Sequence, residues 1–239
     1  MTDIRVGIFG DSFAFPYSIV KGASQHPGIN DVGQAWSAML AEKYTVTNFS
    51  WPGSDVYFSY EKFLQNYQQF DVNIFVKTAD NRLSVKYNNE YVHLYRIDWA
   101  QESFKTETDF NKKQIYRSGI DYFTFIQRDE RDFELGRLMS QEVHALDPKC
   151  IFIDTRSDHG LKNVFLNENR AWGLTTDSYI TKFDKTIDLR YCHMTKENNE
   201  IVYNKVVNCI ENSTTYSANI KDFVIPLKSE KQKYIVKKN

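Results

Sequence analysis

Cysteine is scarce: Cys150, Cys192 and Cys209 are all the chain contains. An odd number without paired spacing argues against a disulfide framework and a cysteine-based zinc cage, and suits a reducing compartment. Long apolar runs are also missing. No stretch reaches the about 18 residues that span a bilayer, and the opening MTDIRVGIFGDSF holds no apolar segment of signal-peptide length. The expectation is a cytoplasmic protein without a membrane partner. Net charge is nearly absent, at −1, so no global field draws the chain to nucleic acid. Gly7 and Gly10 lack both the Gly-x-Gly-x-x-Gly pattern and a P-loop lysine, which removes a dinucleotide or ATP site. No metal or organic cofactor is expected.

What is present suits a folded globule: 41% of residues are hydrophobic and 26% charged. Four short apolar runs read as buried parallel strands: Ile4 to Phe9, Tyr44 to Phe49, Val72 to Lys77 and Cys150 to Asp154. Segments of helical period lie between them. Gln34 to Tyr44 places Trp36, Met39 and Leu40 on one stripe. Ser54 is set to cap a helix carrying Val56, Tyr60, Phe63 and Tyr67. Ile120 to Leu146 offers Phe123, Ile126, Phe133, Leu138 and Met139 for burial before Asp147-Pro148 stops it, and Thr195 to Ile210 reads as a closing helix. Strand and helix alternate, which predicts an α/β fold, a mainly parallel sheet between helical layers. One domain is expected over residues 1–212, with a polar, aromatic insertion at about 87–119 after the third strand. Residues 213–239 form a basic extension, with six lysines against Asp222 and Glu230, expected to be a solvated end.

Ligands of such sheets bind beyond the carboxyl ends of the strands. Gly10-Asp11-Ser12, Gly53-Ser54 and Asp80-Asn81-Arg82 all fall at that edge, and Asp188 with His193 comes shortly before the last helix. A serine is a weak nucleophile until a base takes its proton and donors meet the oxyanion. Ser12 on a tight turn exposes its hydroxyl, Gly53 brings a backbone N–H close without an obstructing side chain, and His193 supplies a base. The bland reading of Gly-Asp-Ser is a turn and nothing more, since all three residues favour turns. Its position after the first strand, about 180 residues ahead of a histidine preceding the last helix, favours the functional one. His159, beside Asp158, is the rival base. His26, His93 and His144 show no partner pattern and are expected at surface or half-buried positions.

Val6-Gly7-Ile8-Phe9-Gly10-Asp11-Ser12-Phe13 resembles the first block of the SGNH (GDSL-like) hydrolases, and His193-Met194-Thr195 before a helix resembles their last. The resemblance covers about residues 4–211 and implies a three-layer, flavodoxin-like α/β/α sandwich. It implies Ser12 as nucleophile and His193 as base. Ser12 N–H, Gly53 N–H and a third-block asparagine would then stabilise the oxyanion. Two positions depart from the pattern. Where the family has Gly-x-Asn-Asp this chain has Thr78-Ala79-Asp80-Asn81, leaving Asn81 or Asp80 in the third-block position, with Asn81 preferred. Where the family has a triad aspartate the chain has Arg190, leaving Asp188 or a backbone carbonyl to orient the ring. Asp11, Asp80, Arg82 and Arg190 are further candidates to touch substrate, against the bland reading of surface pairing for Arg190. The long aromatic, Asn/Lys-rich inserts are in the style of phage-encoded relatives.

The expected activity is an esterase or carbohydrate O-deacetylase acting on a small-molecule or glycan ester. The alternatives are a catalytically weak binding or particle-associated module of the same fold, and an O-acyltransferase.

Overall fold

The computed structural model describes residues 3–16, 35–77, 82–94, 97–127, 129–154 and 196–212. Its centre is a four-stranded parallel sheet of β1 (Arg5–Phe9), β2 (Thr45–Asn48), β3 (Val72–Lys77) and β6 (Ile151–Asp154), in the order β2-β1-β3-β6. This is the doubly wound, flavodoxin-like order, which reverses direction beside the first strand. The chain is therefore α/β, with helices on both faces of a parallel sheet.

Strand alternation decides which side chain faces which layer. Val6 and Ile8, Ile74 and Val76, and Ile151 and Ile153 point to one face. There they are buried with Trp36 and Leu40 of α1 (Trp36–Lys43) and Val202 and Val206 of α6 (Lys196–Asn212). Phe9, Phe75 and Phe152 point to the other face, against Val56 and Phe63 of α2 (Val56–Asn66) and Val143 of α5 (Asp129–Leu146). The Phe75 and Phe152 rings stack at 5.1 Å, and Phe9 meets Phe63 edge-on at 5.4 Å. Both faces being apolar explains why these strands read as near-continuous hydrophobic runs.

Between β3 and α5 the chain builds a second small core. An antiparallel hairpin of β4 (Leu83–Tyr87) and β5 (Glu90–Leu94) packs on α3 (Ile97–Thr106) and α4 (Phe110–Asp121), burying Val92, Leu94 and Ala100. Asn88 and Asn89 form its two-residue turn with φ of 49° and 63°, the left-handed pair that a tight hairpin demands and that asparagine tolerates.

Two expectations are corrected. The helix expected over 120–146 is divided: α4 ends at Asp121, one π-helical turn spans Tyr122–Ile126, and α5 starts at Asp129. Of its apolar residues, Ile126 and Leu138 are exposed. Ser54 does not cap α2. Asp55 does, its carboxylate Oδ1 accepting from Phe58 N–H at 2.8 Å, because a carboxylate one residue closer reaches the third amide of the helix.

Candidate active site

β1 ends at Gly10, and the chain turns sharply over Asp11 to Ala14. Ala14 N–H closes the turn on the Asp11 carbonyl (3.1 Å), and Phe13 N–H donates to Asp11 Oδ1 (3.0 Å). Any larger residue at Gly10 would drive its Cβ to 2.8 Å from the Val76 Cβ, so the tight exit from the sheet requires glycine. The carbonyls of the turn are held as well. Trp36 Nε1–H donates to Phe13 O (2.8 Å) and Asn48 Nδ2–H to Ala14 O (2.7 Å). Ser12 sits half-buried at the centre of this clamped turn. Among the described residues neither its N–H nor its hydroxyl makes a hydrogen bond.

The turn after β2 packs alongside. Trp51 N–H donates to the Gly10 carbonyl (3.1 Å). The Ser54 hydroxyl lies 2.8 Å from Trp51 O and 3.4 Å from Gly10 O. Gly53 holds φ at 79°, a left-handed conformation that suits glycine. Its N–H, like that of Ser12, has no hydrogen-bond acceptor among the described residues.

Arg82 ties the two turns together. Its Nη1 donates to Asp11 Oδ2 (2.5 Å) and to the Ser54 carbonyl (3.1 Å), with the Asp11 side chain only 2% exposed and that of Arg82 17%. Asp11 and Arg82, read from sequence as candidates to touch substrate, are thus engaged with each other and with the backbone. Asp80, Asn81, Asp188, Arg190 and His193, as well as His26, His159 and Cys192, lie outside the described residues.

Sequence reasoning missed a polar cluster behind Gly53. Asp55 Oδ2 accepts from Ser84 N–H (2.7 Å), Asp55 N–H donates to Ser84 Oγ (3.2 Å), and Ser84 Oγ lies 2.8 Å from Nδ1 of His93. Burial pushes the Asp55 carboxyl up, while the Phe58 and Ser84 donors pull it down. His93 is buried, 9% exposed, and its pKa is pushed down to about 4 by desolvation and the neighbouring Arg82 charge. This serine–histidine pair is a structural tie and not a second nucleophile: so weak a base activates a hydroxyl poorly. The signal that could have found it is the alternation of Leu83 to Tyr87 and Glu90 to Leu94 around Asn88-Asn89, which sets Ser84 opposite His93.

A cavity of about 360 Å³ opens on the outer side of the Trp51-Pro52-Gly53 turn, walled by the hairpin and by α3 and α4. Among the described residues no cluster of His, Cys, Asp or Glu could hold a metal ion, and no helix is long and apolar enough to cross a membrane.

No family model and no curated protein sequence matches the chain. Among solved structures it is similar to the lipase/acylhydrolase from Enterococcus faecalis, with 14% identity, a TM-score of 0.37, and coverage of 90% of this chain and 100% of that one. It is also similar to the acetyl xylan esterase AlAXEase, with 16% identity, a TM-score of 0.35, and coverage of 87% of this chain and 100% of that one.

Proposed function

We propose that the chain is a serine ester hydrolase with Ser12 as nucleophile. One observation carries the reading: the turn at the carboxyl end of β1 has its flanking amides and carbonyls bonded, while the Ser12 hydroxyl, Ser12 N–H and Gly53 N–H are left unclaimed among the described residues. A rigid loop presenting one hydroxyl and two unspent backbone donors is the arrangement acyl transfer uses. His193, with Asp188 or a backbone carbonyl behind it, completes the reading as general base, and Asn81 as third oxyanion donor.

The steps then balance simply. Ser12 Oγ forms a bond to the ester carbonyl carbon as its proton passes to His193, and the two N–H groups meet the oxyanion. The C–O bond to the alcohol breaks, and the alcohol departs with the proton from His193. Water, deprotonated by His193, attacks the acyl-enzyme, and Ser12 leaves with the proton restored. Hydrolysis of p-nitrophenyl acetate tests this: wild type should turn over, while Ser12→Ala and His193→Ala should fall by at least about 10³-fold. Equal rates in all three proteins would remove the proposal.

The exchanged Asp80-Asn81 order and Arg190 in the usual aspartate position favour one second reading, a catalytically weak module that keeps the fold to bind. Binding without turnover in wild type would select it.

A further inference from the structure

The cavity behind Gly53 has the chemistry of a sugar site. Its walls include Trp51, Trp99 and Tyr116, with Trp99 and Tyr116 packed edge-on at 5.7 Å. Trp51 is 52% exposed beside the cavity, its ring 6.0 Å from that of Phe15 and 6.5 Å from that of His93. The rim carries Lys112, whose Nζ lies 3.9 Å from Glu90, and Glu107. Aromatic faces with a few placed polar groups suit a ring that is apolar on its C–H faces and hydroxylated at its edge. The volume falls within the about 300–1,000 Å³ usual for small-ligand pockets.

A second, independent feature points the same way. Ser84 Oγ, which accepts from Asp55 N–H, lies 2.8 Å from His93 Nδ1 and so engages that ring nitrogen. Burial, with the neighbouring Arg82 charge, keeps the ring neutral. His93 is more than nine-tenths buried and lines the cavity, and among the described residues no hydrogen bond reaches Nε2. The structure thus holds, in a buried residue that lines the cavity, a ring nitrogen without a hydrogen-bond partner among the described residues.

We infer that this cavity is the subsite for one uncharged pyranose ring of a glycan, stacked on Trp51 and hydrogen-bonded to His93 Nε2. Two carboxylates against one ammonium disfavour a uronic acid or other anionic sugar. Because Gly53 belongs both to this wall and to the proposed oxyanion hole, the inference rests on the ester hydrolase reading for its consequence: an acyl group on a hydroxyl of that sugar, or of its neighbour, is what Ser12 removes.

The test is binding in the full-length Ser12→Ala chain, followed by tryptophan fluorescence during titration with neutral oligosaccharides (xylotriose, cellotriose and chitotriose), with a trigalacturonate as the anionic arm. Saturable binding of at least one neutral trisaccharide is expected, at least tenfold tighter than the trigalacturonate. Trp51→Ala, at an exposed position that should not threaten folding, should weaken it by about tenfold. His93→Gln, checked by thermal melting, should weaken it as well. No saturable binding up to 10 mM in a folded chain, or binding unchanged by Trp51→Ala, overturns the inference. The two readings fail separately. Sugar binding in a protein whose wild type shows no esterase activity leaves the subsite and removes the hydrolase, whereas p-nitrophenyl acetate turnover without sugar binding does the reverse.

Discussion

Replacing Arg82 by methionine isolates the tie between the two turns of the site. The Asp11 carboxylate is buried and its partner is 2.5 Å away, so the guanidinium offsets the desolvation of the carboxylate. Removing the cation takes away the ion-pair partner of the buried carboxylate, and the Ser54 carbonyl loses a donor worth about 1 kcal/mol. Breaking one side of a buried pair costs about 3–5 kcal/mol in comparable cases, and Arg82→Met should cost about that. Asp11→Asn keeps an acceptor for Phe13 N–H and should cost less. The double variant should then be at least about 1 kcal/mol more stable than the two single losses added together. Urea unfolding followed by circular dichroism at pH 7 reads all four corners of the cycle. High salt should change the Arg82→Met loss little, since a buried pair is poorly screened. A loss under about 1 kcal/mol, or strict additivity, would refute the tie. The sequence reading of Arg82 as a substrate contact predicts something different, a raised KM for an anionic substrate with stability intact.

Three further outcomes follow from the geometry. His93 is held neutral in the fold, with its pKa near 4 against 6.5 for a free imidazole, so the unfolded chain binds the extra proton between those values. The stabilisation is complete above pH 6.5 and is lost as pH falls toward 4, by about 2 kcal/mol at pH 5, and His93→Gln should remove that slope from the wild-type urea profile. The Asp55 carboxyl, shifted up by burial, acts in the opposite sense, and taking the difference between the two proteins cancels it. Gly53→Ala forces a side chain into the left-handed region and should cost about 1–2 kcal/mol in thermal unfolding, with a larger fall in kcat than in KM if its N–H meets the oxyanion. Asp55→Ala removes both the cap of α2 and the clamp on Ser84, and should lower stability by about 2 kcal/mol in the same assay.

The parallel strands were legible because strands buried on both faces leave an unbroken apolar signal, as in Val6 to Phe9 and Ile74 to Val76. The Ser12 turn was legible because Gly10-Asp11-Ser12 follows one of those runs. The cap shift from Ser54 to Asp55 was not, since both residues cap helices and only tertiary contacts decide: Ser54 turns back to Trp51 and Gly10. The Ser84–His93–Asp55 cluster was hidden for a different reason. A hairpin register joins Ser84 to His93, but Asp55 reaches them across 29 residues from another element, a relation that no local pattern encodes. Trp36 and Asn48, which hold the turn carbonyls, read from sequence as core and strand-end residues, and their side-chain donors reveal themselves only in space.

The proposed hydrolysis rests on the reactivity of one hydroxyl. Wild-type protein treated with a fluorophosphonate and analysed by intact mass and peptide mapping should carry one adduct on Ser12, and His193→Ala should react far more slowly. No adduct under these conditions, or an adduct mapped to any other serine, would contradict it.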